Sequence, residues 1–195
     1  MLGRANYIAL VGGGRQPKFP QNKVGKPSSC QHSQHLQGTN SNLQVIIWDD
    51  AKQQAVITLE FRSPVNRVNL SRSRIVVALQ NSVHVYAFSA TPEKLSVFET
   101  ADNSLGLCCL GSKVLAFPGR TPGQVQLVEI STGNVSIIPA HGSPLRAMEL
   151  SPDGEILATA SEMVGKTVRL MIVQANKHTG YAHTDILNQQ LCSNW

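Results

Sequence analysis

Short runs of apolar residues, each ended by turn-forming residues, recur along most of this sequence. The runs are rich in Val and Ile, and helical periodicity is nearly absent, which is typical of β-strands rather than helices. The pattern therefore predicts an all-β protein. The predicted strands are 7–11, 45–48, 55–59, 74–79, 83–88, 113–117, 123–130, 135–139, 145–150, 156–161 and a weaker one at 167–170.

Two features of this pattern predict local pairing. The runs 74–79 and 83–88 are separated only by Gln80-Asn81-Ser82, so they form a candidate β-hairpin. The segment 151–154 (SPDG) predicts a tight turn, because Pro presets φ and Gly accepts positive φ.

Two stretches break the rhythm of strands and turns. Residues 25–44 are polar and have little apolar surface to bury, and a structureless loop of that length is uncommon within a compact domain. Residues 173–195 are rich in Asn, Gln and His and have no clear period. Both stretches are predicted to be disordered or poorly packed.

Composition narrows the class of protein without identifying a function. Of the 195 residues 42% are hydrophobic, which excludes wholesale disorder, and no apolar run approaches the roughly 20 residues of a bilayer-spanning helix. Four cysteines do not make a disulfide framework and the N-terminus does not resemble a secretory signal, so a reducing compartment, cytosol or nucleus, is expected. The net charge of +5 is compatible with an anionic partner, whether lipid or nucleic acid.

The strands recur in groups of four every 40 to 45 residues or so, a spacing that is typical of propeller blades. The most readable unit runs from His141 through the turn at 151–154 to the strand 156–161 (ILATAS), and it resembles a WD-repeat blade without its closing Trp-Asp.

Further motifs narrow the resemblance. They are 9–14 (ALVGGG), 17–20 (PKFP), 22–24 (NKV), 45–50 (VIIWDD), 98–100 (FET) with Asn103, and 115–119 (LAFPG). In this order they closely resemble the PROPPIN family, the seven-bladed WD-repeat propellers of autophagy. The resemblance implies peripheral binding of phosphatidylinositol 3-phosphate and the 3,5-bisphosphate, and recruitment of an autophagy lipid-transfer protein.

The sequence also departs from the family pattern. Residues 25–44 interrupt a segment that is continuous in the family, as a retained intron or an alternative exon would, and the family's first blade has no counterpart. We therefore expect an incomplete propeller over 1–24 and 45–170, a polar insert at 25–44 and a divergent tail at 171–195. About three to three and a half of the family's seven blades are expected. The family's Arg-Arg-Gly motif, whose arginines serve two lipid sites, is absent from the sequence.

The resemblance assigns a partial lipid site to His141, Ser161, Thr167 and Arg169. A phosphoinositide headgroup is recognised by guanidinium, hydroxyl and imidazole donors. Without the arginine pair we expect that the chain does not hold phosphatidylinositol 3-phosphate specifically. The alternative is that His141 and Ser161 only satisfy each other and the backbone, as in many WD blades.

Other reactive residues favour structural roles. Residues 12–15 (GGGR) lack the Gly-Lys-Ser/Thr of a phosphate loop, so a blade connection is favoured. Cys108 and Cys109 are adjacent on a predicted strand and point to opposite faces, which favours buried packing over zinc binding. Cys30, His32 and His35 are residue types that bind metals, but a fourth ligand is missing, so the sequence gives only weak support for a metal site there. A basic cluster is formed by Arg67, Arg72 and Arg74. It is either a solvated strand edge that discourages strand pairing or a surface that binds a partner or a membrane.

No nucleophile elbow or metal-ligand spacing suggests an enzyme, a cofactor or a metal. We expect a monomeric scaffold that is cytoplasmic and peripheral on preautophagosomal, endosomal or vacuolar membranes. Its partners would be phosphoinositide-containing membranes and an autophagy lipid-transfer protein, with no nucleic acid. Two alternatives stay open, namely a WD-repeat interaction scaffold without lipid binding and a nonfunctional truncated variant.

Overall fold

The computed structural model describes residues 6–12, 43–151, 153–163, 167–174 and 182–189, with side chains up to Ser161 and only the backbone beyond it. No α-helix occurs in these ranges, and therefore none that could cross a membrane. The strands of the described residues are β1 Tyr7–Val11, β2 Gln44–Asp49, β3 Gln54–Glu60, β4 Val65–Leu70, β5 Arg74–Leu79, β6 Ser82–Ala87, β7 Lys94–Glu99, β8 Cys109–Leu110, β9 Val114–Pro118, β10 Gln124–Glu129, β11 Val135–Pro139, β12 Leu145–Leu150, β13 Ile156–Met163, β14 Thr167–Gln174 and β15 Ala182–Gln189.

The strands form successive antiparallel sheets in chain order. Among the described residues, β1–β3 make a three-stranded sheet, and β4–β7, β8–β11 and β12–β15 each make a four-stranded sheet. The first strands of the four-stranded sheets lie side by side, because β4 contacts β8 and β8 contacts β12. The sheets therefore follow one another around a common side, as successive blades do.

The predicted hairpin is confirmed. β5 pairs with β6 in antiparallel register from Arg74 opposite Ala87 to Ala78 opposite Val83. Each predicted strand has a counterpart within a few residues of its predicted ends. Gly154 has a φ of +77°, as the predicted turn at 151–154 requires.

Four strands of the structure have no counterpart in the sequence analysis. β4 (VNRVNL) and β7 (KLSVFE) contain polar residues that hide the apolar run, and β8 is only two residues long. β14 extends to Gln174 and β15 pairs with it inside the segment 173–195, for which no strand was predicted. These strands are formed by pairing with a stronger neighbour, which local composition does not reveal.

Among the residues that the structure describes, three hydrophobic cores lie between neighbouring sheets. The first core joins the β1–β3 sheet to the β4–β7 sheet through residues such as Ile47 and Ile75. The second core joins the β4–β7 and β8–β11 sheets around Phe117, and the third joins the β8–β11 and β12–β15 sheets around Leu127 and Leu157. Each core holds two sheets face to face, which is how blades stack.

Part of the predicted domain organisation falls outside the described residues. This applies to residues 13–42, which include the glycine-rich segment at 13–15 and most of the polar insert at 25–44. Of that insert, residue 43 and Gln44, the first residue of β2, are described. The division of the chain into propeller, insert and tail stays a prediction.

Candidate functional site

The site predicted around His141 lies where the β8–β11 and β12–β15 sheets meet. His141 precedes β12, is 7% exposed, and donates its backbone N–H to the carbonyl of Gly123, 2.9 Å away. Gly123 has a φ of +84°, and a Cβ built on it would lie 2.1 Å from the His141 carbonyl oxygen. Glycine therefore permits this close approach of two loops, which positions the imidazole.

The imidazole of His141 bonds to a residue that the sequence analysis did not select. Its Nε2 lies 2.9 Å from Oγ1 of Thr159, which is buried on β13. Ser161 is two residues further along the same face of β13 and is 1% exposed. Its Oγ has no hydrogen-bond partner among the described residues.

The other two predicted site residues lie on β14. Arg169 is the backbone partner of Ser161, and Thr167 is the backbone partner of Met163. The register therefore brings Ser161, Thr167 and Arg169 to neighbouring positions on β13 and β14. His141, in the loop before β12, reaches the same part of β13 through its bond to Thr159. The side chains of Thr167 and Arg169 lie outside the described part of the structure.

The burial of the described donors determines what they can do. The side chains of His141, Thr159 and Ser161 are nearly inaccessible to solvent. A lipid headgroup that lies on the protein surface therefore does not contact them in this conformation. The His141–Thr159 pair is a buried imidazole–hydroxyl bond, which holds a blade together without a ligand. Ser161 contributes a buried hydroxyl directly across from the Arg169 backbone.

The basic cluster of the sequence analysis is divided by the fold. Arg67 on β4 and Arg72 in the turn after it line a groove of about 610 Å³ between the first strands of three sheets, whereas Arg74 lines a separate, smaller cavity. The groove also contains Glu149 of β12 and several serine hydroxyls. Two guanidinium groups beside hydroxyls can bind an anionic group, and Glu149 opposes them with one negative charge.

The adjacent cysteines are packing residues at the bottom of this groove. Burial raises the pKa of the Cys108 thiol to about 12 and that of Cys109 to about 11. Thiols with such values remain protonated near neutral pH and are poor nucleophiles and metal ligands. Asn69 donates to the Cys108 carbonyl at 2.9 Å and ties β4 to the residues before β8.

No metal site is visible in the described part of the chain. No group of three or more His, Cys, Asp or Glu side chains lies close enough together there to hold an ion. Cys30, His32 and His35, which the sequence analysis did not favour as metal ligands, lie outside the described residues. Asn103, quoted above as a motif residue, is buried and bonds through its Oδ1 to the backbone N–H of Leu107 at 2.7 Å, so it shapes a loop.

Sequence reasoning missed an aromatic cluster around His84. The imidazole stacks on Tyr86 and meets Phe61 edge to face, with ring centroids 6.4 and 5.6 Å apart. Its Nε2 lies 3.2 Å from Oγ of Ser82. Burial, followed by the positive charge of Lys94, lowers the pKa of His84. The only sequence signal for this cluster is the alternation along 82–87, which places His84 and Tyr86 on one face of a strand. Phe61 could not be assigned to the cluster from sequence, because it comes from the neighbouring sheet.

Comparison with known proteins gives clear relatives. No protein-family model matches the chain. It is 65% identical over 170 residues to SVP1-like protein 2 of Emericella nidulans, covering 87% of this chain and 47% of that protein. It is 48% identical over 170 residues to SVP1-like protein 2 of Neurospora crassa (87% and 34% covered) and 35% identical over 166 residues to Autophagy-related protein 18e of Arabidopsis thaliana (83% and 38%). The chain spans less than half the length of each of these relatives.

Solved structures show the same fold. Kluyveromyces lactis Hsv2 superimposes with a TM-score of 0.57 at 23% identity, covering 66% of this chain and 41% of that one. KlAtg21, solved in complex with the coiled coil of AgAtg16, gives a TM-score of 0.62 at 18% identity, covering 76% and 50%. At these identities the similarity concerns the fold, and it confirms the predicted all-β, partial β-propeller architecture.

Proposed function

The chain belongs to the PROPPIN family of β-propellers, and we propose from this premise that it is a non-enzymatic scaffold acting in autophagy. The observation that carries the proposal is the 65% identity to SVP1-like protein 2 across 87% of this chain. The similarity to an autophagy-related protein of a plant supports the same process. The described residues supply the stacked sheets of a binding module, and the proposed work is binding rather than catalysis.

The proposed membrane ligand is the headgroup of phosphatidylinositol 3-phosphate or the 3,5-bisphosphate. The residues proposed to contact it are His141, Ser161, Thr167 and Arg169. We expect the 195-residue chain to bind these headgroups weakly and without selectivity. Two observations support this expectation: the buried state of His141 and Ser161, and the absence of an Arg-Arg-Gly motif from the sequence.

The proposed protein partner is a component of the autophagy machinery, an autophagy lipid-transfer protein by family resemblance. A solved Atg21 structure contains the coiled coil of an Atg16 protein, which supports the general idea that such propellers bind autophagy proteins. A protein partner that binds to the surface of these sheets would still bind when the lipid site is incomplete. The proposed location is the cytoplasmic face of preautophagosomal, endosomal or vacuolar membranes.

Vesicle flotation with the purified chain tests the lipid proposal. The vesicles contain phosphatidylcholine with phosphatidylinositol 3-phosphate, with the 3,5-bisphosphate, or with phosphatidylserine at matched charge. The expected result is weak binding that follows total vesicle charge and not headgroup identity, because a net charge of +5 attracts every anionic surface.

Saturable binding that selects either phosphoinositide would contradict the expected impairment. In that case Arg169→Gln tests the site assignment, and Arg120→Gln is its matched control. Arg120 is exposed, forms an ion pair with Glu99 at 3.3 Å and is not among the assigned residues. Loss of selectivity in the Arg169 variant alone would support the assigned residues.

A second candidate function is a WD-repeat scaffold that binds proteins and no lipid. The buried His141–Thr159 bond favours it, because it gives His141 a structural role without any headgroup. Imaging of the tagged chain in starved cells separates the candidates. Recruitment to autophagic membranes supports the first proposal, partner binding without recruitment supports the second, and failure of the chain to accumulate indicates a nonfunctional truncated variant.

A further inference from the structure

Two segments of the chain carry the same short motif, in which a hydroxyl residue is followed by Pro and, two residues after the Pro, by a basic residue. They are 91–94 (TPEK) and 143–146 (SPLR), whereas the Ser-Pro and Thr-Pro pairs that begin at 63, 121 and 151 lack the basic residue. Proline-directed protein kinases select substrates by a motif of this kind, through its proline and its charge. The sequence alone does not separate the two candidates, but the fold does.

The segment 91–94 lies in the turn between β6 and β7 and is accessible. Thr91 is exposed and Pro92 is half-buried. No strand includes residues 88–93, and Lys94 begins β7, an edge strand whose pairing with β6 is irregular at this end. The turn can therefore extend into the cleft of another protein without opening a hydrophobic core.

The segment 143–146 is held in place by the fold. Its third residue, Leu145, is 8% exposed and belongs to the third core. β12 begins at Leu145 and pairs with β13 from this residue onward, and the carbonyl oxygen of Ser143 lies close to Gly123. Ser143 can enter a kinase cleft only if the start of β12 leaves the core, so this copy of the motif is protected.

We propose that Thr91 is a phosphorylation site for a proline-directed protein kinase. In the transfer, the hydroxyl oxygen of Thr91 forms a bond to the γ-phosphorus of ATP, and the bond from that phosphorus to the oxygen bridging to the β-phosphate breaks. ADP leaves, and the hydroxyl proton passes to the catalytic aspartate of the kinase. The product carries about −1.5 to −2 charges and three strong acceptor oxygens at residue 91.

The residue placed to bind the new phosphate is Arg72, in the turn between β4 and β5. This turn lies beside the β6–β7 turn, because the backbone N–H of Phe88 donates to the carbonyl of Ser73 at 2.9 Å. Arg72 lines the same groove as Ser89, which comes two residues before Thr91. Arg72 is exposed and has no ion-pair partner among the described residues, so its guanidinium group is available to a phosphate.

The other charges around the groove leave Arg72 as the main partner of the phosphate. Lys52 also lines the groove, but it is already paired with Asp49 at 3.7 Å. Glu93 opposes the phosphate with one negative charge from within the turn. Phosphorylation therefore connects the β6–β7 turn to the β4–β5 turn through a charge-assisted hydrogen bond, and the groove presents one accessible cation fewer.

A kinase reaction on the purified 195-residue chain tests the site. The chain is incubated with a cyclin-dependent kinase and Mg-ATP, and mass spectrometry measures the rate of phosphorylation at Thr91 and at Ser143. Two synthetic peptides, 86–97 and 138–149, are the control, because they carry the two motifs without the fold. The rate at Thr91 relative to that at Ser143 is expected to be at least about tenfold higher in the folded chain than in the peptides.

Two variants and a measurement in cells complete this test. Thr91→Ala is expected to remove most of the phosphate from the folded chain, whereas Ser143→Ala, its matched control, is expected to leave the amount unchanged. The tagged chain isolated from growing cells is expected to carry phosphate on Thr91, which an inhibitor of proline-directed kinases removes. The proposal is overturned if Thr91 stays unmodified in the kinase reaction or in cells, or if the folded chain and the peptides show the same ratio of rates.

Thermal unfolding of the phosphorylated and unphosphorylated chains tests the role of Arg72. Phosphorylation is expected to raise the unfolding midpoint by about 2 to 4 °C at low ionic strength, and high salt is expected to reduce this gain. Arg72→Gln is expected to abolish the gain. Arg62→Gln is the matched control, because Arg62 is exposed and follows the end of β3 that lies away from the groove. A gain that persists in Arg72→Gln, or no gain in the wild-type chain, would show that the phosphate does not bind Arg72.

Discussion

At the scale of single residues, His84 is a half-buried titratable group between two sheets. It lies on β6, and Phe61, which follows β3 of the first sheet, packs against its ring. Burial and then Lys94 lower its pKa from 6.5, so the folded protein binds a proton at His84 less readily than the unfolded chain. A neutral imidazole is therefore part of the contact between these sheets.

We predict that the stability of the protein falls as pH is lowered from about 7 through the unfolded histidine pKa of about 6.5. In this window the unfolded state binds more protons at residue 84 than the folded state, so the free energy of unfolding decreases with falling pH. The loss ends once the pH is below the lowered folded pKa. Urea unfolding at a series of pH values measures this.

The control for this prediction is His84→Phe, which keeps an aromatic ring and removes the titration. Its free energy of unfolding is expected to vary less between pH 7 and 5 than that of the wild type. Equal slopes in the two proteins would mean that other groups cause the pH dependence.

At the scale of elements, the turns are positioned by individual glycines. Gly133 turns β10 into β11 with a φ of +76° and nothing within 4 Å of a Cβ added there. Gly123 precedes β10 with a φ of +84°, but an added Cβ would meet the backbone of His141. The two positions share the same backbone conformation and differ in their surroundings.

We predict that Gly123→Ala destabilises the fold considerably more than Gly133→Ala. The Gly133 substitution costs only the left-handed conformation of a non-glycine residue, about 1 to 2 kcal/mol. The Gly123 substitution adds the displacement of the His141 loop and of its backbone bond to Gly123. Thermal unfolding of both variants measures the difference, and equal losses would show that the loop contact is not important.

At the scale of the whole molecule, the described sheets are held together by three cores shared between neighbours. Phe117 is fully buried in the second core, and its ring centroid is 5.2 Å from that of Phe98 on β7. This core is the middle one, so it connects the first two sheets to the last two. Its loss affects the coupling between the two halves of the chain as well as its own sheets.

We predict that Phe117→Ala costs about 3 to 5 kcal/mol and separates the unfolding of the two halves. Urea unfolding followed by circular dichroism is expected to shift to lower denaturant and to broaden. Val97→Ala is the control, because Val97 lies on β7, in one of the two sheets that share this core, but is 48% exposed. This substitution is expected to change the free energy of unfolding little. A single sharp transition in the Phe117 variant would contradict the predicted separation.

The strand pattern could be predicted where the local sequence is strongly apolar. β5 and β6 were identified because their β-branched runs flank a short turn. β4 was missed because Asn66, Arg67 and Asn69 interrupt its apolar residues. Their positions make sense only in the folded chain, where Asn66 and Asn69 bond to the carbonyls of Asn103 and Cys108 before β8.

The candidate site likewise contains contacts that the local sequence does not reveal. His141 was identified from its place ahead of a blade, but its partner Thr159 depends on how β13 packs against the loop before β12. The groove with Arg67 and Glu149 joins residues more than 80 positions apart, so no local pattern contains it. Both arrangements are set by how the sheets stack.

The sequence by itself determined the strongly apolar strands, the turn at 151–154 and the family, because these depend on residue types that are close together along the chain. The tertiary structure decided which apolar faces are covered. Val45 and Ile46 are adjacent and equally apolar, yet Val45 is fully buried and Ile46 is not. The difference arises because a strand presents alternate residues to opposite faces, and burial of each face requires a neighbouring sheet.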